Sequence, residues 1–185
     1  MGELVEDPVL RQRYRFERRV GADGEPYVEV EVWCEPGGGV TPHVHPTQSE
    51  RFEILEGRAQ LLSGRAWHEL GPGAAIDVPA GTRHAFRNRG DATVHFRTEA
   101  RPPESLEAFL TDVAALSRAG AMMRPGLPRT LTGVLGAAVV AKRYRASTVL
   151  GLPPVAVQRL LLDPLVPIAE RRGLRAGRMA EALGV

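Results

Sequence analysis

A single cysteine, Cys34, stands in the whole sequence, so no internal disulfide can form and nothing in the fold depends on an oxidising compartment. Long apolar runs are missing as well. The longest, Val134 to Ala141, contains Gly136 and stops at Lys142-Arg143, too short to span a bilayer, and no membrane partner is expected. Lysine is all but absent: Lys142 is the only one, and arginine supplies the other basic charges. With a formal net charge of +2 and those charges scattered instead of gathered into a stripe, the electrostatic footprint of a nucleic-acid binder is lacking. The first residues, MGELVEDPVLRQR, lack the basic start and apolar stretch of a secretory signal, which sets the expectation of a cytoplasmic protein.

Hydrophobic residues make up 43% of the 185 positions, enough for one ordinary domain with a real core plus an appendage. From Tyr14 to Thr98 the pattern is of short alternating segments. Val28, Val30 and Val32 alternate with Glu29 and Glu31, as in a strand with one face buried. Turn residues interrupt at Pro36-Gly37-Gly38-Gly39, Pro46-Thr47, Glu56-Gly57, Ser63-Gly64, Gly71-Pro72-Gly73, Pro79-Ala80-Gly81 and Arg89-Gly90-Asp91. Many short strands with such turns predict a sandwich or small barrel of jelly-roll type.

The period changes at Arg101-Pro102-Pro103. Leu106, Phe109, Leu110, Val113 and Leu116 recur at helical spacing, with Ser105 placed as a cap and Gly120 as a stop. Leu131, Val134, Leu135, Ala138 and Val139 suggest a second helix. Between Pro153 and Gly173 helical spacing returns, broken at Pro164 and Pro167, and Asp163-Pro164 reads as the start of a new short helix. The fold class is therefore mainly β with C-terminal α, a β domain over residues 1–100 and a helical extension over 101–185. Apolar stripes of this width have to be buried on the β domain, on each other or on a second subunit, so a homodimer is expected. No helix-turn-helix is visible among the basic residues of the second half, and Pro164 and Pro167 sit where a recognition helix would be wanted, so no nucleic-acid partner is expected.

His43 and His45, one residue apart, share a strand face. After the turn Pro46-Thr47-Gln48-Ser49 the chain can return antiparallel, bringing Glu50 to the same interior, and His84 follows the Pro79-Ala80-Gly81 turn. Three imidazoles and a carboxylate form a site for a divalent first-row metal with coordination positions left open. Buried together without an ion, four such groups would be poorly satisfied. His68 and His95 read as ordinary residues. Trp33, Phe52, Phe86 and Phe96 read as core before substrate contacts, although Phe52 and Phe86 share strand parity with Glu50 and His84 and can line the pocket.

The spacing Gly37-(five)-His43-Val44-His45-(four)-Glu50-(six)-Gly57, followed by Gly73-(five)-Pro79-Ala80-Gly81-(two)-His84-(three)-Asn88, resembles both motifs of the cupin superfamily over about the first half of the chain. That resemblance implies a small β-barrel with a metal held by His43, His45, Glu50 and His84. It spans dioxygenases, isomerases, decarboxylases, cyclases and non-catalytic ligand sensors, and fold alone does not choose among them. The same ligand set occurs in the dioxygenases of the family. The expectation is a metal-dependent enzyme of dioxygenase type acting on a small enolic or aromatic substrate, with Glu50 as a displaceable base. Metal-dependent isomerisation or cyclisation, and a non-catalytic sensor, are the alternatives. Iron, manganese, nickel, zinc and copper are not ranked by sequence.

Overall fold

The computed structural model describes residues 3–103, 105–151 and 153–185. The β half begins with β1 (Val5–Asp7) and β2 (Gln12–Val20), earlier than the alternation starting at Tyr14 had suggested. Then follow β3 (Pro26–Cys34), β4 (His43–Val44), β5 (Ser49–Glu56), β6 (Ala59–Ser63), β7 (Ala66–Leu70), β8 (Ala75–Val78), β9 (His84–Arg87) and β10 (Val94–Arg101). Strand β3 shows why these segments pair: Val28, Val30, Val32 and Cys34 are buried, while Glu29, Glu31 and Trp33 between them are half-buried.

The strands form two sheets. One runs β1-β2-β3-β10-β5-β8. The other, β4-β9-β6-β7, is extended at its β4 edge by β13 (Val149–Leu150) from the C-terminal half. The jelly-roll character predicted from sequence is present, although the two sheets are not hydrogen-bonded into one closed ring. Their inner faces share a core that includes Val28, Val30, Val32, Ile54, Leu61 and Phe96.

The extension holds α1 (Leu106–Arg118), the small hairpin β11 (Met122–Arg124) and β12 (Leu127–Pro128), α2 (Leu131–Arg143), α3 (Val155–Leu162), α4 (Val166–Arg171) and α5 (Met179–Leu183). Helix α1 packs on β1 and is tied to the neighbouring β2 by ion pairing of Arg18 with Glu107 at 3.1 Å. Ser105 occupies the N-cap position of α1, but its side chain makes no capping bond; it meets the Ser147 hydroxyl at 2.8 Å instead. Gly120 ends α1 with φ +64°, a left-handed turn that suits glycine. Asp163-Pro164 does not open α4 directly: it forms a 3-10 turn, Asp163–Leu165, that carries α3 into α4. Leu131, counted in the α2 stripe, is exposed in the first turn, while Leu135, Ala138 and Val139 are buried. None of the helices among the described residues is long and apolar enough to cross a membrane.

A second core, around Leu116, Leu135, Val139 and Met179, belongs to the helices. Asp112 joins its parts. Buried at 2% exposure, it accepts hydrogen bonds from the Tyr144 hydroxyl at 2.7 Å, the Gly177 amide at 2.6 Å and the Met179 amide at 3.2 Å. Asp112→Ala should lower the unfolding free energy by about 3–5 kcal/mol, because three buried donors lose a charged acceptor together. Denaturant melts followed by circular dichroism would read it, and a loss below about 1 kcal/mol would show that the helices do not depend on this hub.

Candidate metal centre

His43 lies on β4 and pairs in register with His84 on β9, so their rings stand side by side with centroids 4.2 Å apart. His45 follows immediately after β4. Its carbonyl accepts the Gly81 amide at 2.8 Å, and Gly81 takes φ +77° in the turn that delivers His84. Glu50 arrives differently from the expectation. Strand β5 does not return antiparallel to β4; it pairs with β10 and β8 in the facing sheet. Pro46 has no N–H with which to extend the ladder, and the chain crosses between sheets over residues 46–48. The site is thus gripped from both sheets.

One potential ligand atom from each of His43, His45, Glu50 and His84 lies within 4.8 Å of every other. Donors on opposite sides of a single first-row ion stand about 4.2 Å apart, so shifts of a few tenths of an ångström bring all four onto one ion. The histidine tautomers point the same way. Nδ1–H of His43 donates to the Thr41 carbonyl at 2.9 Å, that of His45 to the Ser147 carbonyl at 2.7 Å, and that of His84 to the Thr82 carbonyl at 2.9 Å. With Nδ1 so engaged, each neutral ring turns an Nε2 lone pair toward the centre. Nε2 of His45 and of His84 are buried and have no hydrogen-bond partner. Oε2 of Glu50 is 2.9 Å from Nε2 of His84. Buried nitrogens left without partners beside a buried carboxylate fit a cation placed among them.

Electrostatics in the metal-free cluster follow from burial and crowding. Burial, reinforced by the neighbouring charges of His84 and His45, lowers His43 to about 3. Its ring edge remains partly accessible from the cavity, yet protein surrounds it as deeply as it does the other ligands. Burial by itself would raise Glu50, but the three imidazoles around it hold it down at about 2. Against the pull of burial, the Glu50 carboxylate raises His84. The linkage has a definite sign. His43 and Glu50, both lowered, contribute stability that is fully present above their unfolded values of 6.5 and 4.5 and is lost as pH falls toward about 3 and about 2. His84, raised, contributes stability below 6.5 that is lost as pH rises through its folded value. Melting temperatures of metal-free protein should therefore drop as pH falls below 6.5, less steeply in a His43→Gln variant. Equal slopes for the two proteins would show that His43 is not held neutral.

His43, His45 and Glu50 lie on the wall of a cavity of about 360 Å³. Phe52 and Phe86 line it, as their parity predicted, and so do all five residues of the α1 stripe, Leu106, Phe109, Leu110, Val113 and Leu116. Helix α1 is its roof. Arg145, Thr148, Leu150, Gln158 and Leu161 complete the wall from the extension. Arg145 is already ion-paired with Asp163. Glu50 is the sole carboxylate on the wall among the described residues. His95 belongs elsewhere, stacked on Trp33 at 4.7 Å and paired with Glu31 at 2.9 Å, and His68 is exposed on β7.

Sequence reasoning missed the part played by residues 145–151. Val149 and Leu150 pair with Val44 and His43, and the Gly151 amide donates to the Pro42 carbonyl at 2.9 Å. The Thr148 hydroxyl lies 3.3 Å from Nδ1 of His45. A segment about a hundred positions downstream thus holds the strand carrying two ligands. The orienting carbonyls are backbone atoms, and no side-chain pattern announces them.

A family model described as "Cupin domain" matches residues 30–98. Among solved structures, a sugar phosphate isomerase of the cupin superfamily from Silicibacter pomeroyi is 26% identical over 50% of this chain and 60% of that one, with a TM-score of 0.44. The polyketide cyclase RemF from Streptomyces resistomycificus is 27% identical over 55% and 77%, with a TM-score of 0.44. KdgF from Halomonas sp. is 16% identical over 56% and 90%, with a TM-score of 0.47. The chain thus spans less than two thirds of the isomerase. No curated protein matches it.

Proposed function

Since a cupin domain model matches residues 30–98, we propose that the chain is a metal-dependent enzyme acting on a small enolic or aromatic metabolite, with dioxygen consumed in turnover. One observation carries the reading: four metal-competent side chains converge, and three of them, His43, His45 and Glu50, lie on the wall of a largely apolar cavity. His43, His45, Glu50 and His84 would hold the ion. When bound, a divalent metal supplies Lewis acidity toward a chelating pair of oxygens and, if it is iron, the capacity to activate dioxygen.

The protein's own groups account for the rest. The apolar roof of α1 and the side chains of Phe52 and Phe86 suit a flat, uncharged body and keep bulk water from it. Glu50 is a weak base while the imidazoles hold it at about 2. Moved off the cluster by an incoming chelating substrate, it is left with burial, which raises it, and one of its carboxylate oxygens can then take the enol or phenol proton. A sugar phosphate matches this wall poorly, because Arg145, its one guanidinium, is neutralised by Asp163.

Oxygen-electrode assays of protein loaded in turn with iron, manganese, nickel, zinc and copper, against a panel of catechols and β-diketones, test the proposal. Metal-dependent substrate loss with matching oxygen uptake is the expected result, and Glu50→Gln should abolish it while retaining metal. Equal turnover without oxygen would replace the dioxygenase reading with isomerisation or cyclisation. No turnover of any panel member with any of the metals would leave a ligand-binding protein.

A further inference from the structure

At the end of the cavity away from the ligands, the wall changes character. Gln12, 3% exposed, and Tyr14, 1% exposed, stand two residues apart on β2 and both line the cavity. Nε2 of Gln12 has no hydrogen-bond partner, while the Tyr14 hydroxyl lies beside the Asp7 carboxylate. Their neighbours on the wall include Leu10, Val30, Val32 and Val40. Leaving an N–H donor unmet in such surroundings is costly, and a cavity-facing position offers an obvious way to meet it. Burial, together with the Asp7 carboxylate, raises the Tyr14 hydroxyl well above its ordinary value, so it stays a neutral phenol, and Gln12 is left as the unmet donor. Cys34, opposite Gln12 in the β2–β3 register, brings no nucleophile, since burial pushes its thiol up to about 12.

The distance between the two ends can be read from the strands. The Cys34 carbonyl accepts from Asn88 Nδ2 at 2.8 Å, which sets the Gln12 row level with Asn88. His84 lies four residues before Asn88, about 13 Å along an extended chain. A molecule that chelates at one end and is met by Gln12 at the other is therefore elongated.

We propose that Gln12, flanked by Tyr14, forms a second polar subsite that recognises a hydrogen-bond acceptor oxygen, a carbonyl, ester or ether, at the far end of an elongated apolar substrate whose chelating oxygens face His43, His45, Glu50 and His84. This rests on the cavity being the substrate site, as proposed above. It narrows the substrate class to molecules oxygenated at both ends and apolar between.

A molecular ruler tests it. Zinc-loaded full-length protein, redox-inert so that probes are bound and not consumed, is titrated calorimetrically with two series: methyl ω-(3,4-dihydroxyphenyl)alkanoates with growing chains, and 4-alkylcatechols of matched length. At one chain length the ester should bind about tenfold more tightly than its alkyl counterpart, the worth of one good hydrogen bond. Gln12→Leu and Gln12→Met should erase that increment and leave alkylcatechol affinity within about twofold, since both keep the apolar volume. Both variants should melt no lower than wild type, having lost a buried unpaired donor. An increment absent at every length, or one that survives both substitutions, would overturn the subsite and leave an ordered water as the partner of Gln12. Alkylcatechols that fail to bind wild-type protein at all would instead remove the substrate-site reading, and this inference with it.

Discussion

His84→Ala protein, purified without chelator, will carry almost no divalent metal by elemental analysis, where wild type carries about one equivalent per chain. His84 is 1% exposed, its Nδ1 is fixed by the Thr82 carbonyl, and its Nε2 has no other task. Disturbing the groups that merely orient a ligand already costs about 10–100-fold in affinity, and removing the ligand itself costs at least as much. His43→Ala and His45→Ala should behave alike. Glu50→Ala should lose less, because three imidazoles remain. Circular dichroism separates metal loss from unfolding. The result that sinks the ligand assignment is near-stoichiometric metal in a folded protein lacking both His43 and His45.

Cutting the chain after Arg101 should have a larger effect on the protein as a whole, giving an aggregated or insoluble product. The α1 stripe covers the inner face of the sandwich, and burying each such side chain is worth about 1.5–3 kcal/mol. Five of them together approach the ~5–15 kcal/mol that holds a typical domain folded. The cut also strips β13 from β4, leaving an unpaired strand edge where chains can add. Size-exclusion chromatography and metal analysis of the truncated chain provide the measurement. A soluble monomer that still binds metal would show that the extension is a separate module, with the cavity roof dispensable to the β half.

The two halves were legible in the sequence to different depths. The convergence of His43, His45, Glu50 and His84 showed because their spacing is tied to strand parity and to turns that only a few residue types can make, as at Pro79-Ala80-Gly81. The stripe of α1 showed because a surface so apolar has to be covered, and all five residues proved to face the cavity. Three things stayed hidden, each for a physical reason. The passage of the chain between sheets at residues 46–48 is a matter of which strand offers free backbone groups, not of local pattern. The pairing of Val149 and Leu150 with β4 is too short to leave a periodic trace. Gln12 looks like any polar residue at the start of a strand, and its unmet donor becomes visible only once the walls around it are known.

The bond from His45 to the Ser147 carbonyl, which spans 102 positions, has a consequence for the order of events in the cell. At a synthesis rate of about 5–20 residues per second, roughly 5–20 seconds pass between the emergence of His45 from the ribosome and that of the residue that orients it. In that interval the nascent β half carries every coordinating side chain but lacks the partner that turns one of them inward. The four-residue cluster, with each imidazole oriented by its carbonyl, is therefore in place only after residues 145–151 have been made.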